Sequence, residues 1–232
     1  MANTHLHVVN LNASWLCENA EERARHWLTH EEWQRLQALQ NVKVRQQRMR
    51  QKVVFYELLN FYLQLQGQRP EISIGKSGKP FLPHQTNQHF NLSHSGDWLA
   101  IILSQAGPVG IDIESPRKSR DLMAIARHYF HPREIEHMAT LNGAEQHKEF
   151  YRLWTLKEAF FKARGTGISE GLAKIDFTVS SAPESDQNWP VTAWQYQHQQ
   201  LVTTPQPVYL SYVLPNTDAL PGLRRDFPLN LS

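Results

Sequence analysis

The sequence predicts a mixed α+β protein, on three observations. Val42 to Gln66 and Lys148 to Arg164 read as two long helices, the first with Met49, Val53, Tyr56, Leu59 and Leu63 recurring every three or four residues. Between them, Phe90–Ser93 and Trp98–Ser104 flank Ser95-Gly96-Asp97, a hairpin pattern, and Val109–Glu114 reads as a buried strand. After the second helix the chain is mostly β. At 232 residues it holds one large domain or two small ones, with core enough to need no disulfide or structural metal.

The elements follow in order. Leu6–Leu11 is a strand, centred on Val8 and Val9. Asn19–Leu28 is helix-compatible. Thr29 stands three residues before Glu32, a capping box that opens a helix carrying Trp33, Leu36 and Leu39 on one side. The long helix from Val42 is stopped by Gly67, with Pro70 beyond, and its first half is basic: Lys43, Arg45, Arg48, Arg50 and Lys52. Ile72 and Ile74 suggest a short strand, and Gly75–Pro83 is loop. Gln105–Pro108 is a break. Asp121–Tyr129 and Pro132–Leu141 are short helices, the second entered through His131-Pro132. The second long helix is closed by Gly165 and Gly167. Ile175, Phe177 and Val179 alternate as a strand, Ser180–Asn188 is a polar loop, and Val191–Tyr196 and Val208–Leu214 are strands. Pro215–Ser232 reads as an extended tail.

Composition excludes several functions. Hydrophobic residues at 41% and charged residues at 20% fit a globular chain, and a net charge of +2 says little about partners. The lone Cys17 excludes an internal disulfide, a zinc ribbon, a CxxC redox site and a cysteine-ligated iron–sulfur cluster. It fits a reducing cytosol. Met1–Asn12 lacks the positive start and apolar run of a signal peptide, and no window reaches a membrane span, so a cytoplasmic location is expected. Gly75-Lys76-Ser77 imitates the end of a phosphate-binding loop, but Pro70 stands where its first glycine belongs. His26 and His30 have zinc-protease spacing without the glutamate between them. Ser93-His94 lacks a nucleophile elbow, and His128 and His131 read as surface or capping residues.

Asp112 and Glu114, two apart in a strand, present both carboxylates on one face. Such a pair raises at least one pKa unless a positive group neutralises it, and a hard cation such as Mg²⁺ does so. Glu158 and Lys162, four apart in the second long helix, share a face flanked by Trp154 and Phe161, so both are expected to be partly buried and paired.

Four motifs then stand in order. They are Gly78-Lys79-Pro80-Phe81, Phe90-Asn91-Leu92-Ser93-His94-Ser95, Val109-Gly110-Ile111-Asp112-Ile113-Glu114 and Trp154-Thr155-Leu156-Lys157-Glu158-Ala159-Phe160-Phe161-Lys162, with 46 positions from Asp112 to Glu158. In this the chain resembles the 4′-phosphopantetheinyl transferases, in particular their long, surfactin-synthetase-activating (Sfp-like) branch. The resemblance covers about Gly78 to Lys162.

The resemblance implies a pseudo-two-fold duplication: two similar halves, residues 1–107 and 108–232, each a small antiparallel sheet packed with a long helix. A monomer with one site between the halves is expected, the first half binding coenzyme A phosphates and the second carrying metal and catalytic helix. The implied reaction transfers the 4′-phosphopantetheine arm of coenzyme A to a serine of an apo acyl or peptidyl carrier protein, releasing adenosine 3′,5′-bisphosphate. By motif, Asp112, Glu114 and Glu158 would hold Mg²⁺, with Mn²⁺ as an alternative. Lys162 would neutralise phosphates, and Glu158 would accept the serine proton, directly or through a water on the metal. Lys79, Ser93 and His94 would bind coenzyme A phosphates, with Arg48 and Arg45 reaching the 3′-phosphate; Met49 stands where some relatives have a hydroxyl residue. Lys157 would support the site from behind, and Arg117, Lys118 and Arg120 would meet an acidic carrier. Neither nucleic acid nor membrane is an expected partner. Two other readings are a basic nucleic-acid-binding module, which leaves the three acids without a role, and another Mg²⁺-dependent nucleotide transferase or hydrolase, which does not account for the joint order of the motifs.

Overall fold

The computed structural model describes residues 4–116, 120–167, 171–179, 183–187, 189–201, 206–216 and the backbone of 223–224. The chain opens with β1 (Thr4–Asn10), the short helices α1 (Ser14–Cys17), α2 (Ala20–Trp27) and α3 (His30–Gln37), and the long α4 (Val42–Leu63). A two-residue ladder of β2 (Ser73–Ile74) and β3 (Pro80–Phe81) precedes the hairpin β4 (His89–Ser95) and β5 (Trp98–Ser104). The same plan then repeats. A strand, β6 (Gly110–Glu114), leads to short helices α5 (Leu122–Tyr129) and α6 (Pro132–Ala139) and the long α7 (Gly143–Arg164). A two-residue ladder of β7 (Ile175–Asp176) and β8 (Glu184–Ser185) precedes the hairpin β9 (Trp194–Leu201) and β10 (Val208–Pro215). In both halves the opening strand pairs antiparallel with the second strand of the hairpin, giving the orders β1-β5-β4 and β6-β10-β9. The long helices are 22 residues each. A short β11 (Leu223–Arg224) adds to β1 in parallel. The fold is α+β, as the sequence predicts.

Alternation along the strands builds the layers. Leu6, Val8, Ala100 and Ile102 of the first sheet meet Val109, just before β6, and Ile111, Ile113, Leu210, Tyr212 and Leu214 of the second in an apolar core between the sheets. The opposite faces serve the helices: Val9, Leu99, Ile101 and Leu103 pack with Val53, Val54, Leu58 and Leu59 of α4, and Tyr209 and Val213 with Leu156, Ala159 and Phe160 of α7. Burying one such aliphatic side chain contributes about 1.5–3 kcal/mol, so these three cores hold the layers in place.

Several elements form for the local reasons anticipated. Thr29 accepts from the Glu32 amide while the Glu32 carboxylate accepts from the Thr29 amide, closing the capping box of α3. His131 caps α6, its Nδ1 accepting from the Arg133 amide. Gly96 turns the β4–β5 hairpin at φ 58°.

Other expectations need correction. Helix α4 ends at Leu63, before Gly67, because Gln64 adopts the left-handed C-cap and Asn60 secures the turn, accepting from the Gly67 amide and donating to the Gln68 carbonyl. The loop 75–83 contains β3. Ile175 and Asp176 are the extent of β7, and the polar stretch after it contains β8. Residues Val191–Ala193 form a 3₁₀ turn, with β9 running on through a glutamine-rich stretch. Within the segment read as an extended tail, Leu223–Arg224 pair with β1.

Gly110 decides how closely α7 approaches β6. A Cβ there would stand 1.9 Å from the Ala159 carbonyl oxygen and 2.4 Å from the Ala163 nitrogen, both backbone. Only glycine lets the helix lie directly on the strand. Gly110→Ala is therefore expected to cost at least about 1–3 kcal/mol, read as a lower midpoint in chemical denaturation; an unchanged midpoint contradicts this close approach.

Candidate active site

The site lies where the two sheets meet at their edges. Residues Asn91, Ser93 and Ser95 of β4 sit opposite Ile102, Ala100 and Trp98 of β5, and so share the face turned to the second sheet. No backbone ladder joins β4 to β6. Side chains do: Asn91 Oδ1 accepts from the Ile111 amide at 2.9 Å, Ser93 Oγ donates to Asp112 Oδ1 at 2.7 Å, and Ser95 Oγ donates to Glu114 Oε2 at 2.7 Å. Ser95 Oγ also accepts from the Ser115 amide at 3.0 Å.

From the other side, α7 brings Glu158 and Lys162. Lys162 Nζ lies 2.6 Å from Asp112 Oδ1 and 3.1 Å from Ser93 Oγ. Asp112 is 4% exposed, and its second oxygen, Oδ2, is buried without a hydrogen-bond partner among the described residues. Glu158 is half-buried; burial first, then the negative charges of Asp112 and Glu114, push its pKa up to about 7 against the pull of Lys162. Burial and Asp112 likewise push Glu114 upward, while Ser95, Arg120 and Lys162 pull it down. A pocket of about 250 Å³ opens beside Glu114, bounded by Ser95, Arg120 and Tyr151.

The arrangement therefore holds three carboxylates against one ammonium, with an orphaned oxygen and an unionised fraction on Glu158 near neutral pH. A hard cation with oxygen ligands fits that donor set. Asp112, Glu114 and Glu158 are the residues that could hold it. Among the described residues no three such side chains already converge on a common centre.

The other expected ligands divide. His94 is exposed on β4; partial desolvation, then the cations Arg48 and Lys162, hold its pKa below the usual imidazole range. Arg48 is exposed on α4, close enough for its charge to act on His94. Arg45 donates to the Leu39 carbonyl at 3.1 Å. Lys79 stands away from the carboxylates: its Nζ donates to the carbonyls of Val109 at 3.1 Å and Ala163 at 3.0 Å, and burial pushes its pKa down to about 8. It lines a second pocket of about 300 Å³ with Phe81, His89 and Arg164. Arg117 and Lys118 lie outside the described residues.

Lys157 is fully buried and paired with Glu134 at 2.8 Å, donating also to the carbonyls of Leu172 and Ile175. It ties α7 to α6 and to the turn before β7. Truncating one partner of such a pair costs about 3–5 kcal/mol, so its place is structural. Sequence reading passed over Asn91 and Ser95 as site residues; their polar alternation with Ser93 along a strand was the available signal. Thr155 and Ser211 were also missed. Ser211, opposite Asp112 in the ladder, shares a 2.7 Å hydrogen bond with Thr155 and one of 3.0 Å with His198.

Residues 108–213 match the family model of the 4′-phosphopantetheinyl transferase superfamily. Among similar proteins, the 4′-phosphopantetheinyl transferase psf-1 of Bacillus pumilus is 43% identical over 104 residues, covering 45% of this chain and 43% of its own. The 4′-phosphopantetheinyl transferase AcpT of Escherichia coli O157:H7 is 40% identical over 113 residues, covering 49% and 57%. A protein of Synechocystis sp., whose name carries the same activity as an unproven assignment, is 33% identical over 150 residues, covering 64% and 61%. The matched part of the chain thus spans less than two thirds of each relative's length. The segment similar to that superfamily, residues 108–213, holds Asp112, Glu114, Glu158 and Lys162.

The raised Glu158 pKa has a stability consequence. The folded chain binds this proton more tightly than the unfolded chain, so the associated stability is full below pH 4.5 and is lost as pH rises through about 7. Melting temperatures of the metal-free protein should fall across that window, and Glu158→Gln, which cannot ionise, should flatten the fall. A slope that survives the substitution unchanged contradicts the raised pKa.

Proposed function

We propose that this protein transfers the 4′-phosphopantetheine arm of coenzyme A to a serine hydroxyl of an apo acyl or peptidyl carrier protein, leaving adenosine 3′,5′-bisphosphate. The observation that carries the reading is the Asp112–Lys162–Ser93 cluster beside Glu114 and Glu158 at the junction of the sheets, its carboxylates and Lys162 falling within residues 108–213, the segment that matches the superfamily. Phosphoryl transfer depends chiefly on positioning and charge neutralisation, and the cluster supplies both.

Each residue has a role in this reading. The serine oxygen attacks the phosphorus that carries the pantetheine arm, a new P–O bond forms, and the bond to the departing adenosine bisphosphate breaks. Glu158, with its carboxyl near neutrality, accepts the serine proton. Lys162 is held by Asp112 and Ser93 with an ammonium proton left for phosphate oxygen and leaving group. Arg48 and His94, exposed on neighbouring elements, bind the outer phosphates. Arg45 and Lys79 have turned their cationic groups to backbone carbonyls, so the phosphate role rests on Arg48, His94 and Lys162. Asp112, Glu114 and Glu158 would hold Mg²⁺, or Mn²⁺, which when bound neutralises pyrophosphate charge. Residues 1–107 then supply phosphate contacts, and 108–232 the carboxylates and Lys162. Arg120, beside the Glu114 pocket, suits an acidic carrier.

A monomer acting in the cytoplasm, on neither nucleic acid nor membrane, completes the proposal. No described helix is long and apolar enough to cross a membrane. The test is intact-mass spectrometry of a panel of apo carriers incubated with coenzyme A and Mg²⁺. The wild type should add one phosphopantetheine arm to at least one carrier, and a folded Asp112→Ala variant should add none. No gain on any carrier, or near-normal turnover by Asp112→Ala at low Mg²⁺, contradicts the reading.

A further inference from the structure

We propose that Lys79 is a positioning residue that fixes the end of α7 against the start of β6, acting on the transfer site through the backbone and not as a phosphate ligand. The inference rests on the transfer reading for its kinetic test alone.

Helix α7 ends at Gly165 in a left-handed C-cap, φ 72°. The last turn of a helix leaves carbonyls without helical donors and carries partial negative charge. Here the turn of the β2–β3 hairpin, from the other half of the chain, supplies those donors. The hairpin is closed by Gly75 and Lys79, the Gly75 amide donating to the Lys79 carbonyl at 2.9 Å, and Gly78 turns it at φ 83°. Ser77 Oγ donates to the Gly165 carbonyl, and Lys79 Nζ to the Ala163 carbonyl at 3.0 Å.

The same ammonium donates to the Val109 carbonyl at 3.1 Å. Ala163 follows Lys162 directly, and Val109 precedes Gly110, where strand and helix touch backbone to backbone. One charged group thus joins the helix that carries Glu158 and Lys162 to the strand that carries Asp112 and Glu114. Its shaft lies along Gly165, where a Cβ would stand 3.2 Å from Lys79 Cδ. Loss of the tether frees the last turn of α7 to shift against β6, and the Lys162–Asp112 contact with it.

The test compares Lys79→Met, which keeps length and loses the donor, with Lys79→Arg, which keeps a charged donor. Two readouts are taken: kcat and KM for coenzyme A, and amide hydrogen exchange over 159–165 without substrate. Misplacing reacting groups by about 1 Å costs up to about a hundredfold in rate. Lys79→Met should lower kcat about tenfold or more, leave KM within about twofold, and speed exchange in the last turn of α7, with Lys79→Arg recovering both. A raised KM with unchanged kcat and exchange makes Lys79 a phosphate ligand and overturns the proposal, as does no change in any readout. If Lys79→Met does not fold, Ser77→Ala should speed exchange over the same residues, and unchanged exchange there also overturns it. Should no carrier be modified even by the wild type, the transfer reading fails and the exchange arm still decides the tether.

Discussion

Asn91, Ser93 and Ser95 reach from the last strand of one sheet to the first strand of the other, and the site depends on that reach. Leu6, Val8, Ala100 and Ile102 line the core between the sheets from β1 and β5, and from β4 polar side chains cross to the second sheet. A strand edge there would expose unpaired groups; instead three side chains at every second position meet an amide and two carboxylates. The seam joins the halves and holds Asp112 and Glu114 in one orientation. Neutral hydrogen bonds contribute about 1 kcal/mol each and those to charged groups about 1.5–3, so a row of them is a substantial constraint on buried acids.

Helix α7 meets this seam because Gly110 gives it no side chain to climb over. The contact sets Glu158 and Lys162 above Asp112, and the buried Lys157–Glu134 pair holds the far side of the helix. The resulting electrostatics are unfinished. Lys162 occupies one oxygen of Asp112, the other has no hydrogen-bond partner among the described residues, and Glu158 and Glu114 are pushed toward protonation. Perturbed carboxyls of this kind mark a candidate functional site.

The legible parts of this architecture were local. The Thr29–Glu32 capping box, the Gly96 turn, the two long helices and the Glu158–Lys162 pair each follow from spacing within a few residues. The meeting of Lys162 with Asp112 joins positions 50 apart, and came within reach only through the resemblance of four motifs in order. Bridging by Asn91 and Ser95 could not be assigned from the strand itself, since alternation names a face and not what lies opposite. Lys79 shows the limit most plainly: the resemblance implies a coenzyme A phosphate ligand, while the fold directs its ammonium to two carbonyls. The stop of α4 at Gln64 escaped because its support, Asn60, acts from inside the helix across the turn.

The hydrogen bond from Ser93 to Asp112 predicts that Ser93 works by holding Asp112 in place. A double-mutant cycle on single-turnover transfer, with Ser93→Ala, Asp112→Asn and the pair, measures that coupling. If Ser93 acts through Asp112, the double variant is no slower than Asp112→Asn alone. Losses that multiply would show that Ser93 and Asp112 contribute separately, and would contradict the claim.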